Sequence, residues 1–443
     1  MDNNQNEGLK REIGVMDVAI NTVNNIVGAG IFLLPALVAI SIGNAAILAY
    51  LVCGIMLFAV MLCFAEASSR VTVSGGAYAY IEKAFGPFAG FVAYTLYLFG
   101  AGILTDAAIA NGIVDLLSIK FQLLLIPLYR GIVFFILFGG LAVINIRGVK
   151  QGMNVIRIGT ALKLVPLFLL VAIGFFKIKF HNLQWQHWPS VHNLGEACLI
   201  LFFAFMGGDT ALLVGGEMKN PKRTAPLGIL SGLTLVILFY ILIQLIAQGV
   251  LGTDLQNHKD APLTAVALFV IGPWGATLLT IGAVISMFAN ISSSPFQFPR
   301  LIFAASENKL LPSFLSKIHS KFITPYWAII IYTACDFIFS ISGGFKQLVI
   351  VSSASTLIIY LGVVLAIIKM RRQKNTDTAG IFKIPGGLSV PFFAIIIICW
   401  FLMHLSSAEV KGISIFIAVV AVVYLLGWFL KKKNLGKVSE VKN

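Results

Sequence analysis

Long apolar runs, separated by short polar or turn-rich segments, dominate this sequence. A transmembrane helix needs about 20 apolar residues to cross a hydrocarbon core about 30 Å thick. We therefore predict an all-α polytopic membrane protein with twelve transmembrane helices, at approximately 13–39, 44–69, 88–118, 129–147, 151–177, 194–218, 224–250, 274–305, 325–342, 346–369, 388–407 and 412–430. The ninth run is short and contains Asp336. Asp260 and two prolines interrupt the stretch 254–273, so we expect an external loop with a short surface helix there.

Two of these runs contain residues that interrupt a helix. The first holds "NNIVGAGIFLLP", from Asn24 to Pro35, and the sixth holds "FFAFMGGDTALLVGG", from Phe202 to Gly216. A glycine costs roughly 1 kcal/mol relative to alanine in a helix interior. Unpaired backbone groups at membrane depth also need protein, water or a ligand as a partner. Close helix packing through small residues explains either interruption when it is taken alone.

The two interruptions together lie five helices apart, which is typical of a five-plus-five inverted repeat with the substrate site at the repeat interface. The free N–H groups of one half-helix suit an anion and the free C=O groups of another suit a cation. A zwitterionic amino acid has both. The predicted organisation is a cytoplasmic tail, a first repeat, a second inverted repeat, helices eleven and twelve, and a second cytoplasmic tail, over 1–12, 13–177, 194–369, 388–430 and 431–443.

The composition agrees with a membrane protein, because 58% of residues are hydrophobic and only 11% are charged. The formal net charge of +14 follows the positive-inside rule. With the N terminus inside, 24 of the 32 Lys and Arg residues fall in inner segments and seven in outer ones. Both termini are therefore expected in the cytoplasm, with basic segments that contact anionic membrane lipid. No nucleic-acid partner is needed to explain the charge.

Cysteine and histidine patterns point to no disulfide framework and no metal site. The five cysteines all lie in apolar segments, with no paired spacing. His181, His187 and His192 share a predicted external loop with two tryptophans, and neither a carboxylate nor a thiol joins them. We interpret this loop as interfacial and expect no metal and no other cofactor.

The motifs around both interruptions resemble those of the amino acid–polyamine–organocation (APC) superfamily. "NNIVGAGIF" is similar to its first-helix motif, and "FFAFMGGDTALLVGGEMKNPKRTAP" is similar to its sixth helix and following loop. Further matches are "AEASSRVTVSGGAYAYIEKAFGP", "PRLIFAASENKLLP" and "SASTLIIYL", in order along the chain. The resemblance implies a LeuT-like fold, ten core helices in two inverted repeats plus helices eleven and twelve, and alternating access with an amino acid bound at the bilayer midplane.

The resemblance also implies which residues bind substrate. Amides near Gly28, Ala29 and Gly30 would hold the substrate carboxylate. Backbone carbonyls would hold its ammonium, and these belong to Asn25, Ile26, Phe203, Ala204 and Met206. Phe203 matches the family's aromatic gate, with an ordinary core or lipid-facing Phe as the alternative. The sequence departs from the family pattern after the second break, where Gly207 and Gly208 stand together.

Three ionisable side chains within predicted spans stand out, because such residues are functional candidates. Lys163 of the fifth span matches a lysine that takes the place of a sodium ion in many APC members. The resemblance implies that its ammonium contacts the unwound part of the first helix and couples substrate binding to protonation or to helix movement. The alternative, a lysine that extends to the membrane surface, suits a position near a helix end. Lys163 disfavours sodium coupling, although Ser292, Ser293 and Ser294 offer hydroxyls.

The two acids leave alternatives open. Asp209 follows the second interruption, where some APC antiporters have a proton-responsive acid; the alternative is an N-cap for the second half-helix. Asp106 of the third span would favour a cationic substrate side chain if it faces the pocket, and would be a solvated charge if it faces the outer vestibule. Glu66 and Glu217 lie at predicted inner helix ends among basic residues, where ion pairs could form an inner gate.

These observations predict a secondary amino acid transporter of the cytoplasmic membrane. A channel would need a polar filter, and a membrane enzyme would need a nucleophile–base pair or metal ligands on facing helices. We expect proton-coupled symport because of Lys163. The alternative is exchange of amino acids or amines, including cationic ones, and it is favoured if Asp106 and Asp209 both line the route. A neutral amino acid is the default substrate.

Overall fold

The structure, a computed structural model, describes residues 11–118, 121–185, 188–259, 261–308, 310–342, 345–373, 380–405, 407, 410–412, 414–418 and 420–422. Regular secondary structure in this part of the chain is helical, apart from one bridge between Ile13 and Met218. The α-helices are α1 (Val15–Ile26), α2 (Gly30–Ile42), α3 (Ala46–Arg70), α4 (Ala77–Phe85), α5 (Pro87–Thr95), α6 (Leu104–Ser118), α7 (Pro127–Ile146), α8 (Val149–Gly174), α9 (Val191–Phe205), α10 (Pro221–Leu251), α11 (Pro262–Ile271), α12 (Pro273–Glu307), α13 (Tyr326–Ser342), α14 (Phe345–Arg372) and α15 (Ser389–Leu402).

Eight helical stretches in the described chain are long and apolar enough to cross a membrane. The shorter apolar helices are α11, α13, α15 and a helix at 410–422. The predicted helix in the stretch 254–273 corresponds to α11. Most of the predicted twelfth span and both predicted tails lie outside the described residues. Many long apolar side chains face outward from the bundle, including Phe135, Phe168 and Ile396, as expected for a chain whose solvent there is lipid.

The first predicted span is divided into α1 and α2, with a non-helical segment from Val27 to Ala29 between them. Gly30 begins α2 against α9, and a Cβ at Gly30 would lie only 2.5 Å from the Cα of Ala204. Such a distance between carbon atoms is a steric clash, so only glycine permits this approach. The first interruption therefore serves helix packing as well as exposing backbone.

The sixth predicted span is divided at Gly207, which has a φ of 96°. This left-handed conformation is accessible to glycine without steric cost. Beyond it the chain forms a 3₁₀-helix, Gly208–Glu217. The two interruptions face each other, since a Cβ at Gly207 would lie 3.1 Å from the carbonyl oxygen of Asn25.

The third predicted span is not a uniform α-helix. Between α5 and α6 it forms a π-helical segment, Leu96–Ile103, of a kind often found at functional sites. A Cβ at Gly102 in this segment would meet the ring of Phe298 at 2.9 Å, so the segment lies tightly against α12. Tyr97, near the start of this segment, is fully buried in the bundle interior.

Buried ion pairs connect the helices at the end of the bundle that carries Ile13. Glu66 accepts hydrogen bonds from Arg70 at 2.8 Å and from Arg371. Glu217 accepts one from the Arg300 Nε at 2.8 Å, and both partners are 1% exposed. The predicted ion pairs of Glu66 and Glu217 are therefore present in the structure.

Candidate functional site

A cavity lies where the two interrupted spans meet. It contains about 600 Å³ of space free of atoms, including the part that opens to solvent. Its lining residues are Asn25, Ile26, Gly28, Ala29, Gly30, Ala101, Thr105, Asp106, Ile109, Phe203, Met206, Gly207, Asp209, Thr210, Asn290, Ser293, Ser294, Phe298 and Thr356. Nine of the eleven residues predicted for the site are among them, and Lys163 and Ala204 are not.

Lys163 is fully buried and reaches the first interruption from α8. Its Nζ donates a hydrogen bond to the carbonyl oxygen of Asn24 at 2.6 Å and another to that of Val27. These carbonyls belong to the C-terminal end of α1, where the helix dipole favours a positive charge. The contact with the unwound part of the first helix is therefore present, and the side chain does not extend to the membrane surface.

The other carbonyls of the first interruption also accept hydrogen bonds from within the protein. Asn290 of α12 donates to the Asn25 oxygen at 2.6 Å, and Ser286 donates to the Val27 oxygen at 3.2 Å. The Ile26 oxygen accepts from the Tyr240 hydroxyl at 2.9 Å. The acceptors of this interruption are thus occupied.

The donors of the first interruption have no such partners. No residue in the described ranges accepts a hydrogen bond from the amides of Gly28, Ala29 or Gly30. The first N–H groups of any helix lack an intrahelical acceptor, and here all three residues line the cavity. The N-terminal end of α2 therefore presents unpaired donors and a positive dipole end to the cavity.

Tyr240 of α10 joins the two interruptions. Its hydroxyl lies 2.9 Å from the Ile26 oxygen and 3.1 Å from that of Ala204. The Tyr240 hydroxyl therefore already contacts two of the five carbonyls predicted to hold a substrate ammonium. It reaches both because α10 packs against the interrupted first and sixth spans. The Phe203 oxygen accepts from the Met206 amide at 3.4 Å.

Asp209, just after the second interruption, is 1% exposed although it borders the cavity. Its Oδ1 accepts from the Tyr360 hydroxyl at 2.7 Å and its Oδ2 accepts from the Tyr97 hydroxyl. Its side chain does not cap the following 3₁₀-helix, whose N-cap residue is Gly207 without a side-chain bond. Two tyrosines from other helices thus hold this carboxylate, in place of the N-cap alternative.

Asp106 borders the cavity and is 2% exposed. Its Oδ1 accepts from the Ser294 hydroxyl at 2.7 Å, and its Oδ2 accepts from the Tyr332 hydroxyl at 2.8 Å. Tyr332 in turn stacks on Phe298, with ring centroids 5.5 Å apart. Two hydroxyl donors therefore hold the Asp106 carboxylate at the wall of the cavity between the interruptions.

A polar network on α12 supports the first interruption and was missed by the sequence analysis. The Asn25 side chain donates to Thr210 at 2.7 Å and to Gln297 at 3.0 Å, and it accepts from Ser293 at 2.5 Å. The signal was visible in the sequence as the polar cluster "ANISSSPFQF" within an apolar span, which includes Asn290.

Phe203 is half-buried and borders the cavity beside Met206, as the gate alternative requires. Within the described ranges, no group of three or more His, Cys, Asp or Glu side chains is arranged to hold a metal ion. His192 lies 3.2 Å from Glu196, and His187 lies outside those ranges.

Comparison with known proteins identifies the family of this chain. Residues 13–430 match the family model described as amino acid permease. The serine/threonine exchanger of Bacillus subtilis is 29% identical, over 88% of this chain and 90% of that protein. The branched-chain amino acid permease of the same organism is 26% identical, over 95% and 93%. The arginine/agmatine antiporter of Chlamydia pneumoniae is 25% identical, over 96% and 91%.

Proposed function

This chain belongs to the amino acid permease family, and from that membership we propose that it exchanges amino acids or amines across the cytoplasmic membrane by alternating access. It is a multi-pass membrane transporter and not an enzyme. We propose with this function the twelve-helix LeuT-like fold, its 5+5 inverted repeat, and both termini in the cytoplasm. Under this orientation, the Glu217–Arg300 and Glu66–Arg371 pairs lie at the inner end of the route and form part of an inner gate.

One observation favours exchange over symport: Asp106 and Asp209 both line the cavity. No lysine, arginine or histidine is among the lining residues of the described chain. A cavity with two carboxylates and no cation attracts positively charged groups. Substrates therefore include amino acids or amines with a cationic side chain, which revises the neutral default. Among the relatives, an exchanger of serine and threonine and an antiporter of arginine and agmatine support this proposal.

The substrate pose follows from the polarity of the cavity. The carboxylate of an amino acid binds at the unpaired amides of Gly28, Ala29 and Gly30, where donors and the dipole of α2 favour an anion. The ammonium lies toward the second interruption, beside Met206 and Asp209. A cationic side chain extends toward Asp106. An amine without a carboxylate leaves the amides to water and binds through the acidic wall.

Movement of the broken helices accounts for alternating access. Phe203 borders the cavity at the end of α9, and we propose that its ring folds over the bound substrate. Lys163 holds the end of α1 through the Asn24 and Val27 carbonyls. A change in this contact lets α1 move relative to α8, which links the substrate site to the opening of one side.

Proton-coupled symport is the second candidate, and Lys163 is the observation that favours it. A buried ammonium held only by backbone carbonyls can lose its proton without leaving a carboxylate unpaired. Transport would then depend on protonation of Lys163. Sodium coupling is disfavoured under either mechanism, because the ammonium already fills the carbonyl site.

Reconstituted transport separates the two mechanisms. A thermal-shift screen of the purified protein against amino acids and amines first identifies a binder, since a ligand stabilises the folded state by mass action. Uptake of that labelled compound is then measured in proteoliposomes. Exchange requires unlabelled substrate inside the vesicles and is insensitive to an imposed proton gradient. Uptake into empty vesicles that follows an inward proton gradient would reject exchange in favour of symport.

A further inference from the structure

Asp336, in the middle of α13, is a charged side chain that the transport site does not use. It is fully buried, and neither oxygen of its carboxylate has a hydrogen-bond partner. It is the only buried carboxylate in the described part of the chain with both oxygens unpaired. It also does not line the cavity.

Asp336 is connected to the cavity through Tyr332. The two residues are four positions apart on α13, so their side chains share one face of the helix. The Tyr332 hydroxyl donates to the Oδ2 of Asp106 at 2.8 Å, and Ser294 donates to its Oδ1 at 2.7 Å. Two donors therefore stabilise a negative charge on Asp106, and Asp336 has none.

Among the residues that the structure describes, the side chains around Asp336 supply no positive charge. On its own helix the titratable neighbours are Tyr332 and Cys335, and on α6 the neighbour is Asp106. Helix α13 also packs against α7, α12, the π-helical segment and the turn Ser313–Ser316, which carries no titratable side chain.

The charged groups on those elements are engaged elsewhere. On α7, Tyr129 and Arg130 lie in the first turn, and Arg130 bonds to Asp115 at 2.7 Å and to Asn111 at 2.8 Å. Arg300 of α12 pairs with Glu217, and Tyr97 of the π-helical segment donates a hydrogen bond to Asp209. Both side chains therefore have partners other than Asp336. The last, Glu307, is exposed at the end of α12.

We propose that Asp336 is a proton-binding site, which holds a proton while Asp106 keeps the negative charge that borders the cavity. An ionised carboxylate without a donor or a cation from the protein is strongly disfavoured in an apolar interior. Two nearby carboxylates also disfavour each other's ionisation, and hydrogen bonds select which one is charged. Both arguments assign the proton to Asp336. A cation that enters the cavity then meets the negative charge of Asp106 without a further charge at Asp336.

The site gives the ninth span a role in coupling. A cation bound at Asp106 offsets the repulsion between the two carboxylates and so favours release of the Asp336 proton. By linkage, the proton on Asp336 weakens binding of that cation to the same extent. Cation entry and proton release are thereby connected through a residue that does not contact the substrate.

Infrared spectroscopy of the full-length protein in lipid nanodiscs tests the site without any substrate. The C=O stretch of a protonated carboxylic acid is separate from that of a carboxylate. At neutral pH, the wild-type spectrum should contain a protonated-carboxyl band that Asp336→Asn lacks. Asp254→Asn, which removes an exposed carboxylate, should keep that band and lose carboxylate absorption instead. Loss of carboxylate absorption in Asp336→Asn would overturn the proposal.

A second measurement covers the case in which Asp336→Asn does not fold. The protein is labelled with ¹³C at the aspartate carboxyl carbon, which shifts only aspartate bands. A shifted protonated band that persists in both Asp106→Asn and Asp209→Asn supports the assignment to Asp336. A labelled wild-type protein with no protonated aspartate at neutral pH contradicts it. Neither result depends on whether the protein exchanges or co-transports its substrate.

Discussion

The two helix interruptions look alike in the sequence but present opposite chemistry. At the first, side chains from α8, α10 and α12 occupy the carbonyls of residues 24 to 28, and the amides of residues 28 to 30 stay open. At the second, Gly207 turns the chain and Asp209 follows with its carboxylate beside the cavity. The first interruption offers donors and the second offers a negative charge.

This difference shows that an interrupted helix does not by itself define what it binds. The first interruption has both acceptors and donors outside the helical hydrogen-bond ladder, and side chains of the protein, including the Lys163 ammonium, occupy the acceptors. The unpaired amides of residues 28 to 30 remain, and these donors suit an anion. The second interruption gains its character from a side chain, and two tyrosines hold that side chain in place. A ligand with a carboxylate at one end and a cation at the other matches both.

The largest expected effect comes from removing the cation of the first interruption. Lys163→Ala removes the charged donor from the buried Asn24 and Val27 carbonyls, which keep only Asn290 at 3.3 Å and Ser286 at 3.2 Å. A hydrogen bond to a charged group contributes about 1.5–3 kcal/mol, so we expect a loss of about 3 kcal/mol in stability and the loss of substrate exchange in proteoliposomes. Lys177→Ala, at the exposed end of the same helical stretch, is the control. Exchange by Lys163→Ala at the wild-type rate would remove its coupling role.

The next prediction tests whether substrate binding at the unpaired amides of residues 28 to 30 requires the close packing of α2 against α9. In Gly30→Ala the new Cβ lies 2.5 Å from the Ala204 Cα, which forces the helices apart. Overpacking of this kind costs about 1–3 kcal/mol, so substrate affinity in a binding assay should fall by roughly 10- to 100-fold. Gly139→Ala on α7 meets no atom within 4 Å and should bind normally. Equal affinity in both variants would contradict the proposed carboxylate site.

The third prediction concerns the Tyr240 hydroxyl, which joins the two interruptions. Tyr240→Phe removes the hydroxyl that contacts the Ile26 and Ala204 carbonyls, which should cost about 2 kcal/mol and lower the thermal midpoint. Tyr50→Phe is a matched control. Tyr50 is also fully buried and contacts the same Phe205 ring, but its hydroxyl has no partner. A thermal midpoint that falls equally in both variants would show that the hydroxyl bridge is not stabilising.

The smallest effect concerns the acidic wall. Asp106→Asn removes a charge beside the cavity but keeps the shape of the side chain. Binding of a cationic amino acid or amine should weaken about tenfold, or about 1.4 kcal/mol, while binding of a neutral amino acid stays the same. Asp115→Asn on the same helix is the control, because Asp115 pairs with Arg130 away from the cavity. Equal weakening for charged and neutral ligands would exclude a charge-specific role for Asp106.

The backbone part of the site was largely predictable from the sequence, and the side-chain part was not. Asn25, Gly28 and Gly30 stand in one short motif, and nine of the predicted residues line the cavity. Tyr240, Tyr332 and Tyr360 gave no signal, because they are three of eleven tyrosines in apolar surroundings. The exchange mechanism gained support only when Asp106 and Asp209 were found at the same cavity.

The sequence by itself determined the membrane-spanning character, the positions of the two interruptions and the family. These features are local, since hydropathy, glycine content and short motifs depend on neighbouring residues. Only the tertiary structure decided which groups are paired. Asp106 meets Ser294 across 188 positions and Tyr332 across 226, and Lys163 meets Asn24 across 139. Contacts at such separations depend on how the helices pack, and helical phase in one sequence does not specify that packing.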